Sequence, residues 1–249
     1  MKDTWAIVPV KPFREGKSRL ATELDEEQRW VLNRWLLEHT LQVLIENKQI
    51  DQTLITSRDS EVLAFARKHG AHTIHEDGIS ELNLAIERAT HFVLQGYSES
   101  ALILPTDLPL LDQETLQALF DHKQPSPSVI IVPDRHQKGT NALLVSPPGL
   151  IKYHFGIDSF KAHLMEASQN GNSVSIFNHP NLALDIDNPE DLHYLTKLNL
   201  PLPILEVLLN RNKVGLFIGP DPAGSRKNLD PNQTPHDFSE ESSFGGTHD

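Results

Sequence analysis

The 249-residue chain contains no cysteine. That excludes disulfides, thiolate zinc sites and a cysteine nucleophile. No apolar run approaches the roughly 20 residues needed to span a bilayer. Met1-Lys2-Asp3 leads straight into a strand-like run, without a signal-peptide core. The expected setting is a soluble protein of the cytoplasm, with no membrane partner. Positive charge is also scarce: 22 Lys and Arg stand against 34 Asp and Glu, a formal net charge of −12. Such a balance disfavours non-specific nucleic-acid binding and adhesion to an anionic membrane. A nucleotide substrate stays open, because a local basic loop overrides the global field. A Walker loop is absent, since no Gly-x-x-x-x-Gly-Lys-Ser/Thr occurs.

What is present centres on residues 102–111, Leu-Ile-Leu-Pro-Thr-Asp-Leu-Pro-Leu-Leu. An apolar run, Ala101–Leu104, stops at Pro105, and one carboxylate, Asp107, follows. A buried strand of a parallel sheet ends this way, and ligands of open α/β sheets bind at that carboxyl edge. A solvated turn explains Asp107 alone about as well as a hard-cation site does, so other segments must decide.

Trp5–Val10 reads as a first buried strand. Behind it, Lys11, Arg14, Lys17 and Arg19 place four cations within nine residues, with Gly16 allowing tight turns. A mobile basic loop at a strand's edge suits a triphosphate, Lys as a point charge and Arg as a fork. Asp25 and Gln28 form a capping-box pattern before a long helix. Gln52–Thr56 and Ala71–His75 are expected strands, the latter at an edge, around a helix from Glu61 to His69. Asn83, near the start of the next helix, is a cap or a reader of a nucleobase.

Val129–Val132, Ala142–Val145 and Val174–Phe177 continue the strand pattern. Gly139-Thr140-Asn141 supplies a hydroxyl and an amide at a turn. Gly156 and Ser159 precede a helix whose first N–H groups form an anion site. Ala183–Asp187 reads as a further strand, with Asp185 and Asp187 on one face by the period of two. Asn188-Pro189-Glu190-Asp191 is a helix start. The pattern, about seven strands alternating with four or five helices, means an α/β fold with a mostly parallel sheet flanked by helices. It occupies residues 1–200. A short apolar segment, 201–218, is expected to dock on the domain or on a second copy in a homodimer. Residues 219–249, rich in Pro, Gly, Ser, Asn and Asp, read as a disordered tail.

A basic loop after strand one, a lone Asp after the central strand and a late acidic pair together suit nucleotidyl transfer. Cations would hold a triphosphate, and a metal would lie between Asp107 and the late acids. Such chemistry needs positioning and charge neutralisation rather than a protein nucleophile.

Five motifs, in order, resemble the CofC/FbiD guanylyltransferases of coenzyme F-420 biosynthesis. They are Val8-Pro9-Val10-Lys11-Pro12 with Gly16–Leu20, Leu104–Pro109, Pro133-Asp134-Arg135 with Gly139–Leu143, Phe155-Gly156 with Ser159-Phe160, and Asp185–Leu192. The resemblance spans about residues 5–195, and departs from the family at Glu81, where Gly is usual. It implies a nucleotide-diphospho-sugar-transferase-like (MobA-like) nucleotidyltransferase fold and transfer of GMP from GTP, with magnesium, to a small phospho-acid. The acceptor it implies is phosphoenolpyruvate, 2-phospho-L-lactate or 3-phospho-D-glycerate. Matched onto this chain, Thr140, Gly156 and Ser159 bind the acceptor, and Asp107, Asp185 and Asp187 the metal. On the reading of the basic loop itself, Lys17 and Arg19 would bind the nucleotide, with Asn83 a further expected nucleotide contact and Lys11, Lys17 and Asp107 the expected catalytic residues. A MobA-like or sugar-phosphate transferase would carry a Gly-rich signature after strand one, which is missing here. A non-catalytic GTP-binding regulator would bind GTP without releasing pyrophosphate.

Overall fold

Apolar runs too short for helices and bounded by turns build the centre of the molecule, seen in a computed structural model that describes residues 4–78, 81–169 and 171–209. They form seven strands: β1 (Thr4–Pro9), β2 (Gln52–Ser57), β3 (His72–His75), β4 (Ser100–Ile103), β5 (Ser128–Pro133), β6 (Thr140–Ser146) and β7 (Ser173–Ile176). These make one sheet in the order β3-β2-β1-β4-β6-β5-β7. Only β6 runs antiparallel to its neighbours.

Helices α1 (Glu26–Glu46), α2 (Ser60–Lys68), α3 (Leu82–Gln95), α4 (Gln113–Asp121) and α5 (Ser159–Gln169) follow their strands. Three more close the chain: α6 (Pro180–Ala183), α7 (Pro189–Lys197) and α8 (Pro203–Leu209). The period of two sends alternate strand residues into two cores. Ala6, Val8, Leu102 and Leu104 meet Leu37, Leu41 and Leu44 of α1 on one face. Ile7, Ile103 and Leu143 meet Ile86 and Val93 of α3 on the other. Burial of each large side chain contributes about 1.5–3 kcal/mol, which is why the central strands read as continuous apolar runs.

The strand order places the site. Chain order reverses between β1 and β4, which pair in parallel with Ile7 opposite Ile103. Leu104 N–H extends the ladder to Ile7 O at 3.0 Å. The loops leaving β1 and β4 therefore emerge side by side at a switch point.

Two expectations are corrected. Ala183–Asp187 is not a strand. His179 caps α6 by accepting from Asn181 N–H, with Pro180 in its first turn, and Asn188 and Pro189 already open α7. The backbone of the four residues between them bonds to the loop after β4, through Ile186 N–H on Asp107 O, rather than to a strand. The alternation survives: Leu184 and Ile186 are buried while Asp185 and Asp187 are half-buried.

The basic loop, expected to be mobile, is pinned. Phe13 is buried against the edges of Trp30 and Phe65. Its N–H donates to Asp59 Oδ2 at 3.1 Å, and its carbonyl accepts from Asn33 Nδ2 at 2.7 Å. Leu20 and Leu24 enter the same core. Gly16 packs directly on Asn33: a Cβ there would lie 2.6 Å from Asn33 Nδ2. Gly16→Ala is expected to push Asn33 off the Phe13 carbonyl and to cost about 1–3 kcal/mol in urea unfolding. Asn33→Ala in the same chain should recover part of that loss; an unchanged Gly16→Ala would contradict this packing.

The apolar C-terminal stretch contributes α8, which lies on α1. Ile204, Leu205 and Leu208 are buried there, and Gln28 Nε2 donates to Leu208 O at 2.9 Å. The rest of the 201–218 segment, from residue 210, and the 219–249 tail lie outside the described residues. Among the described residues, no helix is long and apolar enough to cross a membrane.

Candidate active site

Three acids converge where β4 ends. Asp107 leaves β4 two residues after Pro105, and its carbonyl accepts from Ile186 N–H at 3.0 Å. That bond brings the Leu184–Asn188 segment across the sheet edge. One carboxylate oxygen from each of Asp107, Asp185 and Asp187 lies within 4.8 Å of the others. Lys17, in the left-handed region at φ 58°, reaches between two of them. Its ammonium lies 3.1 Å from Asp107 Oδ2 and 3.0 Å from Asp187 Oδ1. Arg19 stands 3.8 Å from Asp187 Oδ2, near the solvent. Arg14 turns away to Glu26 and Glu27.

The charges tune one another. Burial alone would lower the Lys17 pKa, but Asp107 and Asp187 outweigh it and hold it raised. Burial would raise Asp187, yet Lys17, Arg19 and Lys11 keep it below its ordinary value. Asp185 lacks a cation. Burial, then Asp107 and Asp187, push it up to about 6 against the hydrogen bond from Asn141.

Asp107 Oδ1 is buried without a hydrogen-bond partner. An orphaned carboxylate oxygen costs stability, and a cation among the three acids would satisfy it. The donors, all hard carboxylate oxygens, suit a cation of the magnesium or calcium kind.

Neighbouring side chains hold this cluster in place. Asn141 Nδ2 donates to Leu182 O at 2.9 Å and Asp185 Oδ1 at 3.3 Å. Asp191 is buried, pairs with Arg135, and accepts N–H groups from Asp187 at 2.9 Å and Asn188 at 3.0 Å. Arg135 also lies over the Tyr194 ring, 5.0 Å from its centroid.

Next along β6 from Asn141, Thr140 opens a second group. Its Oγ1 lies 2.9 Å from His163 Nδ1, and His163 Nε2 accepts from His154 N–H at 2.9 Å. The start of α5 is tied to the β5–β6 turn by Phe160 N–H on Lys138 O at 3.0 Å. Ser159 N–H reaches Gly156 O at 3.3 Å. Gly156 has φ +135°, a conformation that excludes most side chains. Thr140 is thus bonded to His163, while Gly156 and Ser159 lie at the turn that opens α5, the helix carrying His163.

Asn83 lies in the first turn of α3, one residue past its start at Leu82. Its amide donates to Phe155 O at 3.0 Å and accepts Phe155 N–H at 2.7 Å, clamping the loop that carries Gly156. Lys11, Lys17, Arg19, Asp107, Asp185 and Asp187 form one electrostatic cluster, joined to the Thr140 group through Asn141.

Sequence reasoning missed His163, Asn141 as a brace, and Asp191 as more than a helix-start acid. A lone histidine inside a helix carries no motif. Asn141 did stand out as an amide in a turn, and Asp191 sits at the capping-box position of α7.

His163 predicts a pH effect. Burial, then the charge of His154, lower its pKa from 6.5 to about 4, with Glu166 pulling the other way. The unfolded chain therefore binds more protons between those values. Stability from this group is complete above the unfolded pKa and is lost as pH falls toward the folded one. The loss should reach about 3 kcal/mol. Urea unfolding of wild type and His163→Asn across that range tests it: the variant should show the shallower pH slope, and equal slopes would contradict the assignment.

Known proteins match this chain over most of its length. Residues 4–197 match the family model described as "Guanylyl transferase CofC like". The phosphoenolpyruvate guanylyltransferase of Rubrobacter xylanophilus is 38% identical over 188 residues, covering 76% of this chain and 91% of that one. The 2-phospho-L-lactate guanylyltransferase of Methanothermobacter thermautotrophicus is 32% identical over 189 residues, covering 76% and 82%. Among solved structures, a nucleotide-diphospho-sugar transferase from Desulfovibrio desulfuricans superposes with a TM-score of 0.67. It covers 87% of this chain and 97% of that one at 16% identity, which speaks to the fold alone. An α/β sheet with this order, a switch-point acid cluster beside a basic loop, and matches over most of the chain agree: the chain belongs to the CofC-like guanylyl transferase family.

Proposed function

We propose that this chain transfers GMP from GTP to the phosphate of phosphoenolpyruvate, releasing pyrophosphate, in the cytoplasm and with magnesium as cofactor. The observation that carries the reading is the Asp107–Asp185–Asp187 cluster, cation-flanked and joined by Asn141 to the Thr140 group. One site has the chemistry for a triphosphate and its metal; the other suits a small anion. In this reading Lys17 and Arg19 hold the triphosphate, and Lys11 offsets charge near the α-phosphate. Asp107, Asp185 and Asp187 hold magnesium, which when bound neutralises phosphate charge. The Thr140 and Ser159 hydroxyls and the Gly156 backbone hold the acceptor. A phosphate oxygen of the acceptor attacks the α-phosphorus, one P–O bond forms, and the α–β bridging P–O bond breaks. No protein nucleophile is required.

Phosphoenolpyruvate is favoured over 2-phospho-L-lactate and 3-phospho-D-glycerate because the relative from Rubrobacter bears that activity's name. The three differ by a double bond or a hydroxyl, and placed hydrogen bonds decide among them. A competition tests the choice: all three at equal concentration with GTP and magnesium, products read by mass spectrometry. The phosphoenolpyruvate adduct should dominate. GMP on one of the other acids instead would reassign the acceptor, and GMP on none would overturn the function.

A further inference from the structure

His163 is fully buried on α5 and belongs to none of the motifs that mark the family resemblance. Its hydrogen bonds nevertheless define its proton. The backbone N–H of His154 can only donate, and it points at Nε2 from 2.9 Å. Nε2 must therefore be the unprotonated nitrogen, and the neutral ring carries its hydrogen on Nδ1. That hydrogen faces Thr140 Oγ1 at 2.9 Å. The hydroxyl oxygen is then an acceptor toward His163, and its own proton is left for another partner. The phosphate and carboxylate of a phospho-acid present anionic oxygens, which need donors. In the opposite tautomer Thr140 would spend its proton on the ring and present lone pairs to an anion. Around the ring lie the edge of Phe155, the His154 ring and, through His154, Glu166 at 3.2 Å. The low pKa from burial agrees with a ring that stays neutral.

We propose that His163 is a positioning residue for the acceptor, holding the Thr140 hydroxyl as a hydrogen-bond donor to the phospho-acid. This rests on the reading of Thr140 as part of the acceptor site. The same contacts explain why Thr rather than an apolar β-branched residue stands at the start of β6: its methyl fits the strand while its hydroxyl relays the orientation of the imidazole.

Steady-state kinetics on the full chain test it. Gln at this position keeps an acceptor for His154 N–H in reach of the old Nε2 site but lacks the Nδ1 donor. His163→Gln should raise the acceptor KM about tenfold, the scale of a lost hydrogen bond to a charged group, with the GTP KM unmoved. His163→Asn, whose amide nitrogen mimics Nδ1, should recover most of that loss. In a Thr140→Val background, His163→Gln should add nothing further. Thermal melts of each variant identify those that fold. The proposal is overturned if folded His163→Gln keeps the wild-type acceptor KM, if both KM values rise together without rescue by Asn, or if the Thr140 and His163 effects add in full. Those outcomes all require an active wild type. A wild type inert toward all three phospho-acids removes the functional reading itself, and this proposal with it.

Discussion

Asp107→Asn is expected to lower turnover by on the order of a hundredfold or more while leaving the chain folded. Asp107 is the one acid of the cluster fixed by the central strand, since Leu104 N–H continues the ladder to Ile7 O and Asp107 O accepts Ile186 N–H. The substitution removes a charge and the unpartnered Oδ1 from the point where cation, triphosphate and acceptor are proposed to meet. The amide oxygen can still accept from Lys17, and Lys17 keeps its pair with Asp187 at 3.0 Å. The fold should hardly notice. Melting temperature and kcat measured together check this. A variant turning over within a few-fold of wild type would deny Asp107 the role, and an unfolded one would make it structural.

Asp191→Ala should cost about 3–5 kcal/mol, the usual penalty for removing one partner of a buried ion pair. Asp191 is only 4% exposed, and its carboxylate answers Arg135 together with the N–H groups of Asp187 and Asn188. Truncation strands the guanidinium and two backbone donors at once. Asp191→Asn, which retains one acceptor, should lose less. Because the Asp187 N–H is among the groups released, catalysis should fall in step with stability. Urea unfolding gives the magnitude, and a loss below about 1 kcal/mol would show that solvent or Tyr194 suffices for Arg135.

The fold was largely legible because its central strands are buried on both faces and several of its helices open with side-chain caps. Asp25 with Gln28, and Asn188 with Asp191, form the capping boxes that their residue types announced. The Ala183–Asp187 segment shows the limit. Period-two alternation places two acids on one face, and the structure keeps that placement, but alternation does not require a ladder partner. The basic loop shows another. Its charges were visible, while the anchoring by Phe13 depends on Asp59, Trp30 and Phe65, which lie far away in the sequence.

At the site, acids and cations could be read from local runs against the global charge. Their partners could not. Asn83 read as a cap or a base contact, and the fold puts the Phe155 backbone against its amide. His163 carries no motif, and only the fold places Thr140 and His154 on its two nitrogens. Residues that act through another residue leave no local pattern, so only tertiary structure exposes them.

The most direct test of the central claim follows both products of the proposed transfer in a single reaction. The full chain is incubated with magnesium, phosphoenolpyruvate and GTP labelled at the α-phosphate, and pyrophosphate is measured beside the labelled product. The account predicts equimolar pyrophosphate and labelled enolpyruvyl-diphospho-guanosine, both lost with Asp107→Asn. GTP bound by the wild-type chain with no pyrophosphate released, whichever of the three phospho-acids is supplied, would contradict it.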